Sequence, residues 1–233
     1  MNAERARGRR LGWTMMAALA LMATLAGAMP GRAAAPAPRP PAAELAALAA
    51  AWDRANFGLA DDDAEARAAA AVGRDAEALA ARYPGRAEPL FFEGLARATE
   101  ADARGGPAGL RLARTARDLL EQALRIDPDA MGRGVVDTAL GALYAQAPPF
   151  PLSFGDTRKA RAHLVRALAA DPNGAEANYY YGDLLWRAGD AAGAEAALGR
   201  VLAAPPRPGR EVADRALRVR AAELIGRIRR GRR

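Results

Sequence analysis

The residue types that carry most enzyme chemistry are scarce in this sequence. It has one histidine, His163, and no cysteine, which argues against an imidazole pair, a thiolate nucleophile or a thiolate metal site. We expect His163 to pack or to lie at the surface. The aspartates at 61–63 precede a predicted helix and suit its positive end better than a calcium ion. Gly132 and Gly134 lack the third glycine and the preceding strand of a dinucleotide loop. We therefore predict a non-enzymatic protein without cofactor or metal.

A run of acidic and aromatic side chains after Ala175 is suited to binding a partner. On a helix that begins there, the second, fifth, ninth and twelfth positions are Glu176, Tyr179, Asp183 and Trp186. These positions share a helical face, and aromatic side chains with polar tips are good binding anchors. We predict that all four bind a partner, with core packing as the alternative. We expect Tyr180 and Tyr181 to pack in the core.

A second candidate surface is the apolar stretch Pro-Pro-Phe-Pro-Leu-Ser-Phe at 148–154. Loops seldom carry two phenylalanines and a leucine, so Phe150, Leu152 and Phe154 either tuck back onto the fold or form a partner-binding surface. Both alternatives stay open, and the three residues are included among the predicted partner-binding residues. The Gly155-Asp156 pair that follows predicts a turn and then a helix N-cap.

Helices in a repeated pattern must position these residues. Three successive units place a glycine on a first helix, then an alanine and a leucine four residues apart on a second helix. The sets are Gly94, Ala116 and Leu120; Gly141, Ala160 and Leu164; and Gly182, Ala194 and Leu198. Proline ends the second helices, because it lacks an N–H and moves its predecessor out of the α region. The pattern resembles the tetratricopeptide repeat, with its period of about 34 residues.

We therefore predict an all-α solenoid of about four helix pairs with a C-terminal cap. The predicted pairs span about 42–84, 87–128, 134–172 and 175–208, and the cap spans 211–230. Insertions are expected around 104–107 and at 148–154, and Asp137 or Thr138 should help to begin the third pair. Four apolar cap residues should cover the open end: Val212, Leu217, Leu224 and Ile228. First helices of such a stack line a concave groove, which Glu88, Phe91, Leu95 and Ala98 should also face.

A narrower resemblance covers roughly residues 87–220. The stretch from Tyr144 to Asp156, with its Pro-rich apolar segment and Phe-Gly-Asp turn, is followed by Lys159-Ala160 and later by Asn-Tyr-Tyr-Tyr-Gly-Asp at 178–183. With the ending Ala-Ala-Pro-Pro-Arg-Pro-Gly-Arg at 203–210, this resembles the T component associated with TRAP transporters (TatT-like proteins). The resemblance implies a periplasmic protein that associates with the transporter's solute-binding protein, forms a homo-oligomer and handles apolar ligands. This chain lacks the lipoprotein cysteine of some relatives.

The N-terminal residues are typical of a secretory signal. Arginines at 5, 7, 9 and 10 precede an apolar run from Leu11 to Met29, and a Pro/Ala-rich linker follows at 34–41. We predict a signal peptide at 1–33, cleaved after Ala33 or after Ala28, and export to the periplasm. The alternative is an uncleaved inner-membrane anchor, since the run approaches the ~20 residues that span a bilayer.

The net charge of +7 does not indicate a nucleic-acid partner. Residues 1–33 contribute +4 and residues 218–233 contribute +6, so residues 34–217 carry about −3. The basic excess therefore lies in a leader and a tail, and membrane contact is expected only through these two segments. We predict a scaffold that binds another periplasmic protein, a TRAP solute-binding subunit on the narrower resemblance. The alternative is a general cell-envelope adaptor without a transporter.

Overall fold

The computed structural model describes residues 38–59 and 61–231, all within one compact unit, Pro36–Arg233. The predicted signal peptide and most of the predicted linker lie outside the described residues. The described part of the chain is helical and contains no β-strand. Its helices are α1 (Ala42–Phe57), α2 (Asp62–Arg82), α3 (Ala87–Arg104), α4 (Gly106–Ile126), α5 (Val135–Gln146), α6 (Thr157–Ala170), α7 (Ala175–Arg187), α8 (Ala191–Ala203) and α9 (Glu211–Gly231).

The helices pack as four successive pairs followed by a cap. Each odd-numbered helix packs against its even-numbered partner and also against the next odd-numbered helix, from α1 through to α9. Odd-numbered helices contact other odd-numbered helices, whereas even-numbered helices do not contact other even-numbered helices within the described residues. The odd-numbered helices therefore form the inner layer of a curved stack. The predicted all-α repeat of helix pairs is confirmed.

Close approach between the two helices of a pair depends on the predicted glycines. A Cβ atom added to Gly141 would lie 2.6 Å from Leu164 Cγ, and one added to Gly182 would lie 2.8 Å from Leu198 Cγ. Gly94 stands in the same relation to Leu120, also at 2.8 Å. The three leucines are almost completely buried. The sequence pattern of glycine, alanine and leucine thus encodes the same interhelical contact three times.

We expect Gly141→Ala to destabilise the protein by about 1–2 kcal/mol. The new methyl group would overpack the contact with Leu164, at a cost of roughly 1–3 kcal/mol, and the better helix propensity of alanine offsets up to about 1 kcal/mol. Gly199→Ala is the matched control, because a Cβ there meets nothing within 4 Å. That variant should gain up to about 1 kcal/mol. Urea unfolding of both variants measures the difference, and equal effects would contradict the contact.

One local prediction was wrong. Residues 104–107 form no inserted loop: α3 continues to Arg104, α4 begins at Gly106, and Gly105 alone joins them, at a φ of 57° that favours glycine. The additional residues lengthen both helices instead. The N-cap of α5 is Gly134, and Asp137 lies in the first turn of the helix, where its negative charge favours the helix start as expected. A side chain at Gly134 would have collided with the Ala167 carbonyl, at 2.8 Å from its Cβ.

The cap helix α9 closes the C-terminal end of the stack. Its predicted apolar residues Leu217, Leu224 and Ile228 are buried in a cluster with Leu198 and Val201 of α8. Val212 differs from the prediction, since it is 44% exposed at the first turn of the helix. The basic residues of α9 lie on its remaining faces, where they reach α1 and α7.

Candidate functional site

The inner layer of helices lines a partly open cavity of about 500 Å³. Its walls come mainly from α1, α3, α5 and α7, and five aromatic side chains line it: Trp52, Phe57, Phe91, Phe92 and Tyr180. Alanines on the same four helices line it too, and their short side chains leave the space open: Ala49, Ala98, Ala139, Ala142 and Ala177. The volume lies within the range of about 300–1,000 Å³ found for small-molecule sites.

The two ends of the helical stack meet beside this cavity. Arg210, in the turn between α8 and α9, places its Nε atom 2.8 Å from Oδ2 of the buried Asp53 on α1. Its guanidinium also lies 6.0 Å from the ring centre of Trp52. Arg220 of α9 lies over the ring of Phe57 at 5.2 Å. These contacts join the first helix to the last, so the groove between the helices becomes a partly open cavity.

Arg207 is the centre of the ion-pair network at this junction. Its side chain donates to both carboxylate oxygens of Glu176 on α7, each at 2.9 Å. It also donates to Oδ1 of Asp214 on α9 through Nε at 2.9 Å and Nη2 at 2.5 Å, and its backbone N–H donates to Oδ2 at 2.7 Å. Arg210 adds a hydrogen bond to Glu176 at 3.0 Å. The turn is therefore attached to α1, α7 and α9 together.

Asp53 is the member of the network whose carboxylate lacks hydrogen bonds within the described part of the chain. Although Arg210 is close, neither carboxylate oxygen of Asp53 accepts a hydrogen bond from the described residues. Burial raises the pKa of Asp53 to about 6, the positive charge of Arg210 opposes this, and the negative charge of Glu176 adds to it. Close to neutral pH, the folded protein thus holds a carboxylate that is easily protonated.

The structure separates the four residues predicted on α7. Glu176 lines the cavity, whereas Tyr179, Asp183 and Trp186 are not part of its lining. Tyr179 and Trp186 pack on the cluster formed with α9, and Asp183 pairs with Arg187 at 2.7 Å. The reason is that α9 packs along α7 as the first helix of a further repeat would. Binding by these four residues stays a prediction.

The second, fifth, ninth and twelfth residues of a first helix were predicted to face the groove. This position rule holds better in the middle of the stack. On α3, Phe91, Leu95 and Ala98 line the cavity as predicted, whereas Glu88 is not in the lining and pairs with Arg86. Tyr180 and Tyr181 pack against the hydrophobic core, as predicted, and Tyr180 also lines the cavity. Burial raises its pKa to about 12, so its hydroxyl group stays protonated at neutral pH. On α7, Tyr180 lines the cavity in place of the predicted Tyr179, because Tyr179 packs on the cluster formed with α9.

The insertion between α5 and α6 has both of the expected orientations. Phe150 is 87% exposed and Leu152 is 60% exposed, whereas Phe154 packs edge-on against Tyr144 and lies under Arg117. Backbone hydrogen bonds close the loop, from Gly155 to the Pro148 carbonyl at 2.9 Å and from Ser153 to the Pro149 carbonyl at 3.2 Å. The structure thus presents two apolar side chains on an internally hydrogen-bonded loop.

The predicted turn after the insertion is confirmed in detail. Asp156 is the N-cap of α6 and accepts hydrogen bonds from the backbone N–H groups of Arg158 and Lys159, at 2.8 and 3.1 Å. Backbone hydrogen bonding holds the pKa of Asp156 below its usual range. Glycine is required at 155, because a Cβ atom there would lie 1.9 Å from the Ala147 carbonyl oxygen.

His163 takes a packing position, as expected. Its ring stacks on Tyr144, and its Nδ1 atom lies 2.7 Å from Oδ1 of Asp137. Within the described residues, no group of three or more histidine and acidic side chains is arranged to hold a metal ion. In the same part of the chain, no helix combines the length and apolar character needed to span a membrane.

The residues that join the two ends of the stack were not predicted from the sequence. Asp53 lies far along the chain from Arg207, Arg210 and Arg220, and no local pattern relates it to them. The one available signal was the position of Arg207 and Arg210 in a Pro- and Gly-containing turn immediately before the cap helix. Charged residues in such a turn are well placed to contact several helix ends.

The repeat pattern and the helix pairing have a counterpart in one known family. Residues 152–217 match the tetratricopeptide repeat family model. The matched segment contains the end of the insertion, α6 to α8 and the first part of α9, so it includes Gly182 and Leu198. Together with the helix pairs, this match supports an all-α tetratricopeptide-like repeat fold. No curated protein matched the chain. Tetratricopeptide repeats are generally scaffolds for protein–protein interaction.

Proposed function

We propose that this protein is an exported scaffold that binds another protein of the cell envelope through the 148–155 insertion. The observation that supports it best is the exposure of Phe150 and Leu152 at the tip of that loop. Large apolar side chains on a closed loop lose little further conformational entropy on binding, which favours them as anchors. The signal-like residues at 1–33 support export to the periplasm.

The basic side chains around the insertion favour an acidic partner surface. Arg114 donates to the Leu152 carbonyl at 3.1 Å, and Arg117 covers the Phe154 ring. Arg158 and Lys159 are exposed at the start of α6, directly after the loop. Charge complementarity of this kind increases association rates and selects partners. The resemblance of the insertion to TatT-like proteins supports the solute-binding subunit of a TRAP transporter as that partner.

Crosslinking in intact cells tests the proposal. A photoreactive residue in place of Phe150 should capture one specific envelope protein, whereas the same residue in place of the exposed Leu202 on α8 should not. With the photoreactive residue moved to the exposed position 158 beside the loop, Phe150→Ala combined with Leu152→Ala should abolish capture. The unfolding midpoint should stay unchanged, since both side chains are exposed. Capture of a TRAP solute-binding protein supports the transporter link, and capture of another envelope protein supports a general adaptor. Unchanged capture by the double variant would contradict the role of the insertion.

Alanine variants on α7 test the other predicted surface. If Tyr179 and Trp186 also bind the partner, changing both to alanine should reduce capture without unfolding the protein. Both side chains pack against the α9 cluster, so the unfolding midpoint of this variant must be measured alongside. Full capture by a folded double variant would remove α7 from the binding surface.

A further inference from the structure

The cavity has the build of a small-molecule site, which a scaffold for protein partners does not require. Aromatic rings from three different helices line it, among them Trp52, Phe91 and Tyr180. Its volume of about 500 Å³ is enough for a drug-sized ligand. A partner helix is about 10 Å wide, so little more than one turn of it would fill this volume. The occupant that fits is a small apolar molecule.

The charges around the cavity favour a cation over an anion. Carboxylates outnumber guanidinium groups among the described residues that line it or pair directly with its lining. The carboxylates are Asp53, Glu65, Asp102, Asp171, Glu176 and Asp214, and the guanidinium groups are Arg133, Arg207, Arg210 and Arg220. Of these groups, Asp53, Glu65, Glu176, Asp214, Arg207 and Arg210 are buried or half-buried, and the others are exposed. The part of the cavity away from solvent therefore has a negative net charge, and low-dielectric walls strengthen its effect on a ligand.

Arg207 and Arg210 already have carboxylate partners within the protein. Arg207 directs its guanidinium hydrogen bonds at Glu176 and Asp214, and Arg210 is held by Glu176 and Asp53. An incoming carboxylate or phosphate would have to displace these partners. It would also approach the carboxylates of Asp53, Glu176 and Asp214, so binding of an anion beside Arg207 and Arg210 is disfavoured.

Glu65 and Asp102 carry negative charge that the neighbouring Arg220 neutralises only in part. Glu65 of α2 and Asp102 of α3 both line the cavity. Burial raises the pKa of Glu65, the carboxylates of Asp102 and Asp62 raise it further, and Arg220 opposes them without cancelling the effect. Arg220 is itself stacked on Phe57. A cation placed beside Glu65 and Asp102 would relieve the repulsion between the two carboxylates.

We propose that the cavity binds an apolar primary amine in its protonated form. Its hydrocarbon body packs among the half-buried rings of Trp52, Phe57 and Tyr180, and its ammonium group lies towards Glu65 and Asp102. The site goes beyond the proposed scaffold role: it lies inside the stack, whereas the partner-binding insertion lies outside it.

Three ligands that have the same hydrocarbon chain length but different head groups test the proposal. Decylamine, decanol and decanoate are titrated against the exported chain loaded with the neutral fluorescent dye N-phenyl-1-naphthylamine. Decylamine, which is protonated at neutral pH, should displace the dye with an affinity at least ten times that of decanoate, and decanol should lie between them. Equal or tighter binding of decanoate, or no binding of any of the three, would overturn the proposal.

Two variants locate the site. Glu65→Gln combined with Asp102→Asn should reduce the advantage of decylamine over decanol at least fivefold and leave decanol binding unchanged. The control pair Asp75→Asn and Asp129→Asn removes two exposed carboxylates outside the lining and should change neither. A preference for the amine that survives the first pair, or falls equally with the control pair, would overturn the site assignment.

A filled cavity gives an independent measurement. Ala98→Phe places a ring in the lining and should weaken the binding of dye and decanol at least tenfold. Ala196→Phe, at an exposed position on α8, should bind normally. Unfolding curves establish that both variants are folded, and the head-group series on the unaltered chain decides the question if Ala98→Phe is not. Normal binding by folded Ala98→Phe would contradict the cavity as the site. Failure of the insertion variants to affect capture bears only on the scaffold proposal.

Discussion

Arg207→Met is expected to lower the free energy of unfolding by about 3 kcal/mol. The substitution leaves Glu176 without its two hydrogen bonds from Arg207 and leaves Asp214, which is 7% exposed, without the guanidinium that neutralises it. Removing one partner of a buried ion pair costs about 3–5 kcal/mol. We expect the low end of that range, because Arg207 is itself 37% exposed at its side chain. Urea unfolding monitored by circular dichroism measures the effect.

The pH dependence of this loss identifies its cause. Burial acts to raise the pKa of Asp214, but hydrogen bonds and charge from Arg207 outweigh it and hold that pKa below its usual range. Asp214 therefore contributes stability above its unfolded pKa, and this contribution is lost as pH falls through the lower folded value. Without Arg207 its pKa should rise, so the penalty should be smaller near pH 4 than near pH 7.

Matched variants separate the ion-pair network from general effects of losing an arginine. Arg200→Met removes an exposed arginine from α8 and should stay within about 0.5 kcal/mol of the unaltered protein. Adding Asp214→Asn to Arg207→Met should recover part of the loss, because the uncompensated buried charge is then absent. A loss below about 0.5 kcal/mol for Arg207→Met would show that the turn is held by apolar packing alone.

Asp53→Asn is expected to stabilise the protein near neutral pH although it removes an ion pair. The folded pKa of Asp53 is about 6, above the ordinary value of 3.8, so ionisation is less favourable in the folded than in the unfolded state. Each pKa unit corresponds to about 1.4 kcal/mol, which makes the expected gain about 2–3 kcal/mol at pH 7 and above. Arg210 keeps Glu176 as a partner in the variant.

The size of this effect changes with pH in a defined window. Between about pH 4 and pH 6, the folded state of the unaltered protein binds more protons at this site than the unfolded state, so its stability falls as pH rises. Asparagine resembles the protonated acid and removes that slope, so the variant and the unaltered protein should be nearly equal near pH 4. Asp75→Asn, at an exposed position on α2, should leave the slope unchanged.

The opposite outcome at Asp53 is equally informative. If Asp53→Asn destabilises the protein at pH 7, the attraction between Asp53 and Arg210 outweighs the burial of the charge. The ion pair would then be a net stabilising link between α1 and the turn before α9. Unfolding curves at several pH values distinguish the two cases, because only a net destabilising carboxylate gives the falling slope.

Local chemistry accounts for the parts of the fold that were predicted from the sequence. Proline after Asp127 and Asp171 ends two second helices, and Asp156 begins one. The glycines at 94, 141 and 182 mark the helix contacts, since a larger residue would collide with the facing leucine. These signals act over one helix pair or less, so they can be recognised from residue type and spacing.

The candidate site was predictable only in part, because its residues come together through contacts between distant segments. The position rule correctly placed Phe91, Leu95 and Ala98 in the lining, since α3 has a further first helix on each side. On α7, only Glu176 of the four predicted residues lines the cavity, because Tyr179 and Trp186 pack on the cluster formed with the cap helix. Exposure of Phe150 with burial of Phe154 against Tyr144 likewise depended on how the loop folds back.

By itself, the sequence determined that the chain forms paired helices, because propensity, helix-ending prolines and interhelical glycines are local properties. The tertiary structure decided that the stack closes on itself. Closure depends on the accumulated curvature of four pairs, which brings Asp53 to Arg210 and Phe57 to Arg220. Small rotations between successive pairs sum over the whole stack, and no single segment encodes their total. For that reason, the expected concave groove is a partly closed cavity.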